Sequence, residues 1–129
     1  MATTNVKAAS RTLESEGFDP MKEAFIVDCD ATPGRSKAGH GISPCFTCSK
    51  GAGHWVTNRG RRLAREEMMR LQGMGHTEFT VVVTDSQLGK QLGNTMSVNG
   101  LERLLVRVLP AAGLVKHGTR VDSWEMEKL

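Results

Sequence analysis

The chain of 129 residues is 39% hydrophobic and 24% charged, and its formal net charge is +3. That composition fits one small globular domain or a subunit completed by another chain, and the net charge is too small to establish a nucleic-acid partner by itself. Three cysteines, an odd number, and the lack of an apolar signal segment at the start favour a reducing intracellular setting without a disulfide framework. The lack of an apolar run long enough to span a bilayer predicts a soluble protein.

The first half of the chain predicts a polar arm followed by short strands. Residues 1–22 are polar and lack a sustained period, which predicts a loose N-terminal arm that contains one short helix. The apolar run AFIVDCD at 24–30 predicts a strand, and ATPGRSKAGHG at 31–41 is typical of a loop. Weak alternation at 43–48 and the segment 54–57 predict two further strands joined through glycine turns.

The hydrophobic spacing changes to a helical period in the second half. Leu63, Met68, Met69 and Leu71 share one apolar stripe at this spacing, and Gly73 supplies a stop. These positions predict a helix that ends before residue 73.

Three shorter elements are predicted after this helix. The β-branched run TVVVT at 80–84 predicts a strand, and Asp85 or Ser86 is the expected N-cap of a brief helix that ends near Gly93. Ser97 is the expected cap of a last helix, which Pro110 closes. One side of that helix is apolar and carries Val98, Leu101, Leu104, Leu105 and Val108.

Positive charge is concentrated in the middle of the chain. Five of the ten arginines fall within residues 59–70: Arg59, Arg61, Arg62, Arg65 and Arg70. Such a density is suited to contact with phosphates, but it is equally typical of a solvated helix face. The sequence alone leaves both interpretations open.

The stretch PCFTCSKGAGHW at 44–55 permits three interpretations. Cys45 after Pro44 could be a nucleophile, which would require an activating neighbour. Alternatively, the Cys-x-x-Cys pair could be half of a zinc site, completed as the set His40, Cys45, Cys48 and His54. The preferred interpretation is an ordinary strand and glycine turn without a metal, in which Cys48 is a small apolar filler.

Two segments resemble known sequence blocks of one enzyme family. RGRRLAREEMMRLQGM at 59–74 resembles the ninth conserved block of the C5-cytosine DNA methyltransferases, and SQLGKQLGNTMSV at 86–98 resembles the tenth. Their order and spacing also match. The first segment departs from the family pattern at Ala64, where a helix-capping Thr is usual, and at Glu66. The second segment departs from it at Gly89 and Met96.

The resemblance implies a mixed α+β fold in which a small β-rich recognition segment is followed by two or three helices that pack on a Rossmann-like methyltransferase domain. It divides the chain into a polar arm (1–22), the β-rich part of a target-recognition region (23–60), a helical region with the two blocks (61–112) and a C-terminal extension (113–129).

The resemblance also implies a cofactor, S-adenosylmethionine, shared with a domain outside this segment of sequence. Asn94 and Met96 are the residues expected at one wall of its pocket. From the residues alone, Gly93-Asn94 has an equally simple interpretation as a turn.

DNA is the partner that the resemblance implies, with phosphate contacts expected from Arg59, Arg61 and Arg62 and weaker ones from Lys50 and His54.

A second chain or a preceding region would carry the Pro-Cys-Gln catalytic domain, because Phe46 follows Cys45 here and the block with the catalytic Glu is missing. We therefore expect no activity from this chain alone, and a location in the nucleus of a eukaryote or the cytoplasm of a bacterium. The alternative is a stand-alone zinc- or nucleic-acid-binding module.

Overall fold

The computed structural model describes residues 1–75 and 77–118 and has the mixed α+β fold that the sequence predicts. A four-stranded antiparallel sheet has the order β2-β1-β3-β4. The strands are β1 (Phe25–Val27), β2 (Ala38–His40), β3 (Trp55–Val56) and β4 (Arg61–Arg62). The helices are α1 (Ala2–Ser15), α2 (Arg65–Leu71), α3 (Asp85–Asn94) and α4 (Val98–Ala111), with 3-10 turns at Cys48–Lys50 and Thr57–Arg59.

The N-terminal segment contains a helix of 14 residues, which is longer than the one short helix predicted within a loose arm. Helix α1 buries Leu13 and also Asn5, whose side-chain amide donates to the carbonyl oxygens of Cys29 at 2.9 Å and Ala31 at 2.8 Å. These two bonds attach the first turn of α1 to the chain just after β1. Because this attachment is polar, hydrophobic periodicity gave no sign of it.

The sheet confirms two predicted strands and corrects the loop between them. Strand β1 lies within the predicted 24–30 segment, and β3 lies within 54–57. Strand β2 falls inside the segment 31–41, which the sequence predicts as a loop, and it pairs with β1 in the register Phe25 to His40. The rings of Phe25 and His40 stack with centroids 4.7 Å apart, which supports a pairing that the small residues of β2 could not specify.

The strand predicted at 43–48 is not formed. This segment has no ladder partner among residues 1–75 and 77–118, and it ends in the 3-10 turn Cys48–Lys50, which packs against α3. The approach is close because α3 has glycines there: a Cβ on Gly93 would lie 2.2 Å from the carbonyl oxygen of Thr47, and one on Gly89 would lie 2.1 Å from that of Gly51. Contact with a helix has replaced the expected strand pairing.

The strand predicted at 80–84 is also wrong. The chain there is irregular and largely exposed, and within the described residues the backbone of 79–83 makes no hydrogen bond. β-Branched residues favour an extended chain, but a strand needs a neighbouring edge to pair with. No strand of the described sheet runs beside this segment.

Helix α2 ends as predicted, because Gly73 adopts the left-handed conformation (φ +75°) that favours glycine. Met68 and Met69 are buried as expected, but Leu71 is 45% exposed. Gln72 is buried in its stead, and its side-chain amide donates to the carbonyl oxygen of Leu92 at 3.2 Å. A polar bridge to α3 therefore takes the place of the predicted apolar contact.

The last two helices begin within a residue of their predicted caps. Thr84, rather than Asp85 or Ser86, caps α3, and its side chain accepts a hydrogen bond from the Gln87 N–H. Ser97 occupies the N-cap of α4 as predicted, and α4 continues one residue beyond Pro110.

The hydrophobic core joins the sheet to α2 and α3. Its buried members are Phe46, Val56, Leu63, Met68, Met69 and Leu92. Helix α4 adds no buried residue to it.

None of the described helices is both long enough and apolar enough to cross a membrane. Trp124 lies outside the described residues, together with the rest of 119–129.

Candidate functional site

Arg59 and Arg61 meet on one carboxylate. Glu67, near the start of α2, accepts two hydrogen bonds from Arg61, at 2.8 and 3.0 Å, and pairs with Arg59 through the oxygen Oε1. Its oxygen Oε2 also accepts from the backbone N–H of Ala64 at 2.8 Å. The Arg61 guanidinium is the main cause that lowers the pKa of Glu67 to about 2, so this carboxylate is ionised at any physiological pH.

Arg62 is turned toward the interior of the sheet region. Its guanidinium makes a two-pronged ion pair with Asp30, at 2.6 and 2.8 Å, and also donates to the carbonyl oxygen of Gly53 at 2.6 Å. The pair raises the pKa of Arg62 and lowers the pKa of Asp30. Arg62 therefore holds β4 against the segment after β1, and is less accessible to a phosphate than Arg59 or Arg61.

The remaining two arginines of the cluster have different surroundings. Arg65 binds Asp85 at 2.8 and 2.9 Å and the carbonyl oxygen of Gly51 at 2.5 Å, which links α2, α3 and the segment before β3. Arg70 is exposed, and within the described residues its side chain has no ion pair or hydrogen bond. A cleft of about 380 Å³ is lined by Arg59, Glu67 and Arg70 and by apolar side chains of the sheet and α2.

Lys50 and His54 both approach Asp28. Lys50 pairs with the oxygen Oδ2, and Nδ1 of His54 lies 3.8 Å from the oxygen Oδ1. His54 is 1% exposed and its ring stacks on Phe46 at 5.0 Å. Burial lowers the pKa of His54, although the Asp28 carboxylate opposes this effect. A side chain so buried is not presented to DNA in this conformation.

The four residues of the hypothetical zinc set lie in unlike environments. His40 stacks on Phe25 beside Glu23, His54 is buried under Phe46, and the two cysteines are exposed. Across residues 1–75 and 77–118, no three His, Cys, Asp or Glu side chains are grouped so as to hold a metal ion. The Cys45 thiol donates weakly to the carbonyl oxygen of Phe46 at 3.4 Å.

The two residues expected at the cofactor lie at the junction of α3 and α4. Asn94 is the last residue of α3 and is exposed, and Met96 is 64% exposed in the linker that follows. Gln72 positions this linker from inside, because its backbone carbonyl oxygen accepts from the N–H of Val98 at 2.8 Å. The junction of α2, α3 and α4 is therefore fixed while Asn94 and Met96 remain accessible.

Helix α4 presents a continuous apolar surface. Four residues of its predicted apolar side (Val98, Leu104, Leu105 and Val108) are exposed to about half, from 40% for Val98 to 54% for Leu104, and Leu101 is partly buried. A groove of about 730 Å³ runs along the helix, lined in part by Leu101, Leu105, Leu109 and Val115. No residue of this helix is buried in the part of the chain that the structure describes.

Sequence analysis missed the carboxylates that organise the arginines and Lys50. These are Asp28, Asp30, Glu67 and Asp85. A local signal existed for Glu67, because an acid three residues after a helix N-cap is the second member of a capping box. No local signal marks Asp28 and Asp30, whose partners lie more than twenty residues away in sequence.

Comparison with known proteins gives one match. Neither the curated proteins nor the solved structures contain a match to this chain. A protein-family model described as C-5 cytosine-specific DNA methylase matches residues 2–109, which includes α1 and the sheet as well as the two segments with the block-like motifs. That match covers most of the 129 residues, so the chain belongs to the family of C-5 cytosine-specific DNA methylases.

Proposed function

We propose that this chain is the recognition and docking part of a DNA (cytosine-5-)-methyltransferase and does not methylate DNA alone. The segments 59–74 and 86–98 would correspond to the ninth and tenth blocks of the family. The catalytic Pro-Cys-Gln motif would reside in a second chain or in another region of the same polypeptide. That region would flip the cytosine and attack it through its cysteine.

The observation that carries this proposal is the exposed apolar side of α4. A surface helix of a self-contained domain buries its apolar stripe in the core, whereas α4 buries no residue. Large exposed apolar patches mark surfaces that another protein or domain covers. In this proposal, α4 packs on the Rossmann-like domain that holds the cofactor.

The cofactor of this family, S-adenosylmethionine, supplies the methyl group. Asn94 and Met96 fit one wall of its pocket, because both are accessible and lie beside the start of α4. The Asn94 carboxamide offers both a donor and an acceptor to a polar ligand. Neither of the two cavities described above is lined by these residues, which fits a pocket that the partner domain completes.

DNA contacts in this proposal come mainly from Arg59 and Arg61. Their side chains are 56% and 46% exposed, so their free N–H groups can reach a phosphate. Arg62 and Lys50 are partly occupied by Asp30 and Asp28, and His54 would need a rearrangement to reach solvent.

Reconstitution tests the proposal. The chain is mixed with the domain that carries Pro-Cys-Gln from the same source, and transfer of a labelled methyl group to duplex DNA is measured. We expect transfer only from the mixture, and its loss when Leu104 and Leu105 are both changed to Glu. Full activity of the catalytic domain without this chain, or an inactive mixture of two folded components, would refute the proposal.

A further inference from the structure

We infer that Glu67 is a positioning residue that holds Arg59 and Arg61 as a two-pronged clamp for one backbone phosphate of DNA. This inference rests on the proposed function, because it concerns how the same arginines engage DNA. In this role, the Glu67 carboxylate supports binding of a DNA phosphate, although both groups are negatively charged.

The geometry of Glu67 suits this role. Its two oxygens accept four hydrogen bonds, one from Arg59, two from Arg61 and one from the Ala64 backbone. An ionised carboxylate has about four acceptor sites, so Glu67 is saturated. Its side chain is only 14% exposed, and its position at the start of α2 ties both arginines to a rigid element.

The arginines keep donors for a further ligand. Each guanidinium has five N–H donors in a fixed fork. Arg59 uses one of them, on Glu67, and Arg61 uses three, two on Glu67 and one on the Arg62 carbonyl oxygen at 2.9 Å. Four donors on Arg59 and two on Arg61 therefore remain.

The charge of the cluster matches a phosphodiester. Two guanidinium groups and one carboxylate leave a net charge of +1, opposite to the single negative charge of a DNA phosphate. Arg59 ends a 3-10 turn and Arg61 begins β4, so without Glu67 two long side chains would have to be ordered on binding. Ordering such side chains in advance lowers the entropic cost of forming the complex.

Two carboxylates on α2 permit a matched experiment. Glu66 is exposed, lies beside Glu67 in sequence and has no ion pair with the described residues. Glu66→Gln and Glu67→Gln therefore change the charge equally, and only the second releases the arginines. Gln at 67 keeps an oxygen acceptor for the Ala64 N–H, so α2 retains that contact. Thermal melting of each variant verifies that it is folded.

Binding to a fluorescein-labelled duplex is measured by fluorescence anisotropy at several salt concentrations. Removing a negative charge should tighten binding slightly, and we expect this for Glu66→Gln. For Glu67→Gln we expect the opposite sign, a weakening of roughly threefold or more. In the background of Arg59→Ala with Arg61→Ala, Glu67→Gln should have no effect on affinity, since the groups it positions are gone.

A second measurement does not depend on DNA. In the wild type and in Glu66→Gln, the ¹⁵N resonances of the Arg59 and Arg61 guanidinium groups should show slowed rotation. This signature should be lost at both residues in Glu67→Gln, whereas Arg62 and Arg65, which bind other carboxylates, should keep it. If Glu67→Gln tightens binding as much as Glu66→Gln, or if the guanidinium groups rotate freely in the wild type, the inference is wrong while phosphate binding by the arginines stands.

Failure of the proposed function has a different signature. Arg59→Ala with Arg61→Ala should weaken DNA binding and reduce the slope of log K against log salt by about 1 for each phosphate that the variant no longer binds. If this double variant binds with unchanged affinity and slope, or if the wild type fails to bind at about 0.1 mM in low salt, the DNA role of these arginines is refuted and the clamp with it.

Discussion

At the scale of single residues, His54 is an ionisable side chain that lies in the protein interior. It is 1% exposed, and both its Nε2 and the nearby Asp28 Oδ1 are buried without a hydrogen-bond partner among the described residues. Burial favours the neutral imidazole and lowers the pKa of His54 from 6.5. The folded protein therefore binds a proton at this site less readily than the unfolded chain does.

This lowered pKa predicts a loss of stability in mild acid. Above pH 6.5, the ordinary pKa of histidine, His54 is neutral in both the folded and the unfolded protein. Below pH 6.5 the unfolded chain gains a proton first. The free energy of unfolding therefore decreases as the pH falls, until the pH is below the pKa of His54 in the folded protein. Urea denaturation between about pH 7.5 and 5 measures this slope. His54→Phe, which keeps a ring against Phe46, should flatten it. A slope unchanged by His54→Phe would contradict the prediction.

Ala64 offers a gain in stability at one position. It occupies the N-cap of α2 with extended dihedral angles (φ −72°, ψ 161°), and Glu67 already accepts from its N–H. Its methyl group cannot accept the bond that a capping side chain would. Ala64→Thr should complete the capping box and raise the free energy of unfolding by about 1 kcal/mol. Thr84→Ala, which removes the corresponding cap from α3, should lower it by a similar amount, both measured by urea denaturation.

At the scale of secondary-structure elements, the packing of α3 on the 3-10 turn at 48–50 depends on two glycines. A Cβ at position 93 would be forced against the backbone of Thr47, and one at 89 against that of Gly51. Backbone atoms cannot move aside as a flexible side chain can. Glycine lowers the intrinsic stability of α3 at these positions, but it permits the helix backbone to approach the backbone of the 3-10 turn closely.

Alanine substitution separates these two effects. Gly93→Ala should destabilise the protein by about 1–3 kcal/mol through overpacking, despite the better helix propensity of Ala. Gly100→Ala, in α4, is the control: the new Cβ would lie 3.9 Å from the Cβ of Ser97, an ordinary contact. There we expect a gain of up to about 1 kcal/mol. A stabilised Gly93→Ala variant in thermal and urea melts would show that the two segments do not pack as described.

Local signals predicted the elements that depend on local chemistry. Helix α2 followed from hydrophobic spacing and the stop at Gly73, and β1 from its apolar run. Strand β2, and the full length and attachment of helix α1, escaped prediction because each is stabilised by distant partners, as when Asn5 binds the carbonyl oxygens of residues 29 and 31. At the candidate site, Arg59 and Arg61 were found as a charge cluster, but their joint contact with Glu67 depends on the turn between β4 and α2.

At the scale of the whole molecule, the apolar side of α4 is separate from the core. Replacing Leu104 and Leu105 with Glu should change the free energy of unfolding of the chain by less than about 0.5 kcal/mol, because both side chains are already exposed. The same change should abolish association with the catalytic domain, measured by calorimetry. Met21→Glu, at an exposed position far from α4 in sequence, is the control and should leave association intact. Loss of folding in the double variant would mean that α4 belongs to the core.

The irregular segment 79–83 between α2 and α3 has a consequence for handling the protein. Its backbone is free of hydrogen bonds to the described residues, and Val82 is 88% exposed. An endopeptidase that cleaves after small aliphatic residues should nick the chain here first, since exposed backbone of this kind fits readily into a protease cleft. The two fragments should stay associated through Arg65–Asp85 and Gly93, and would separate only on denaturation.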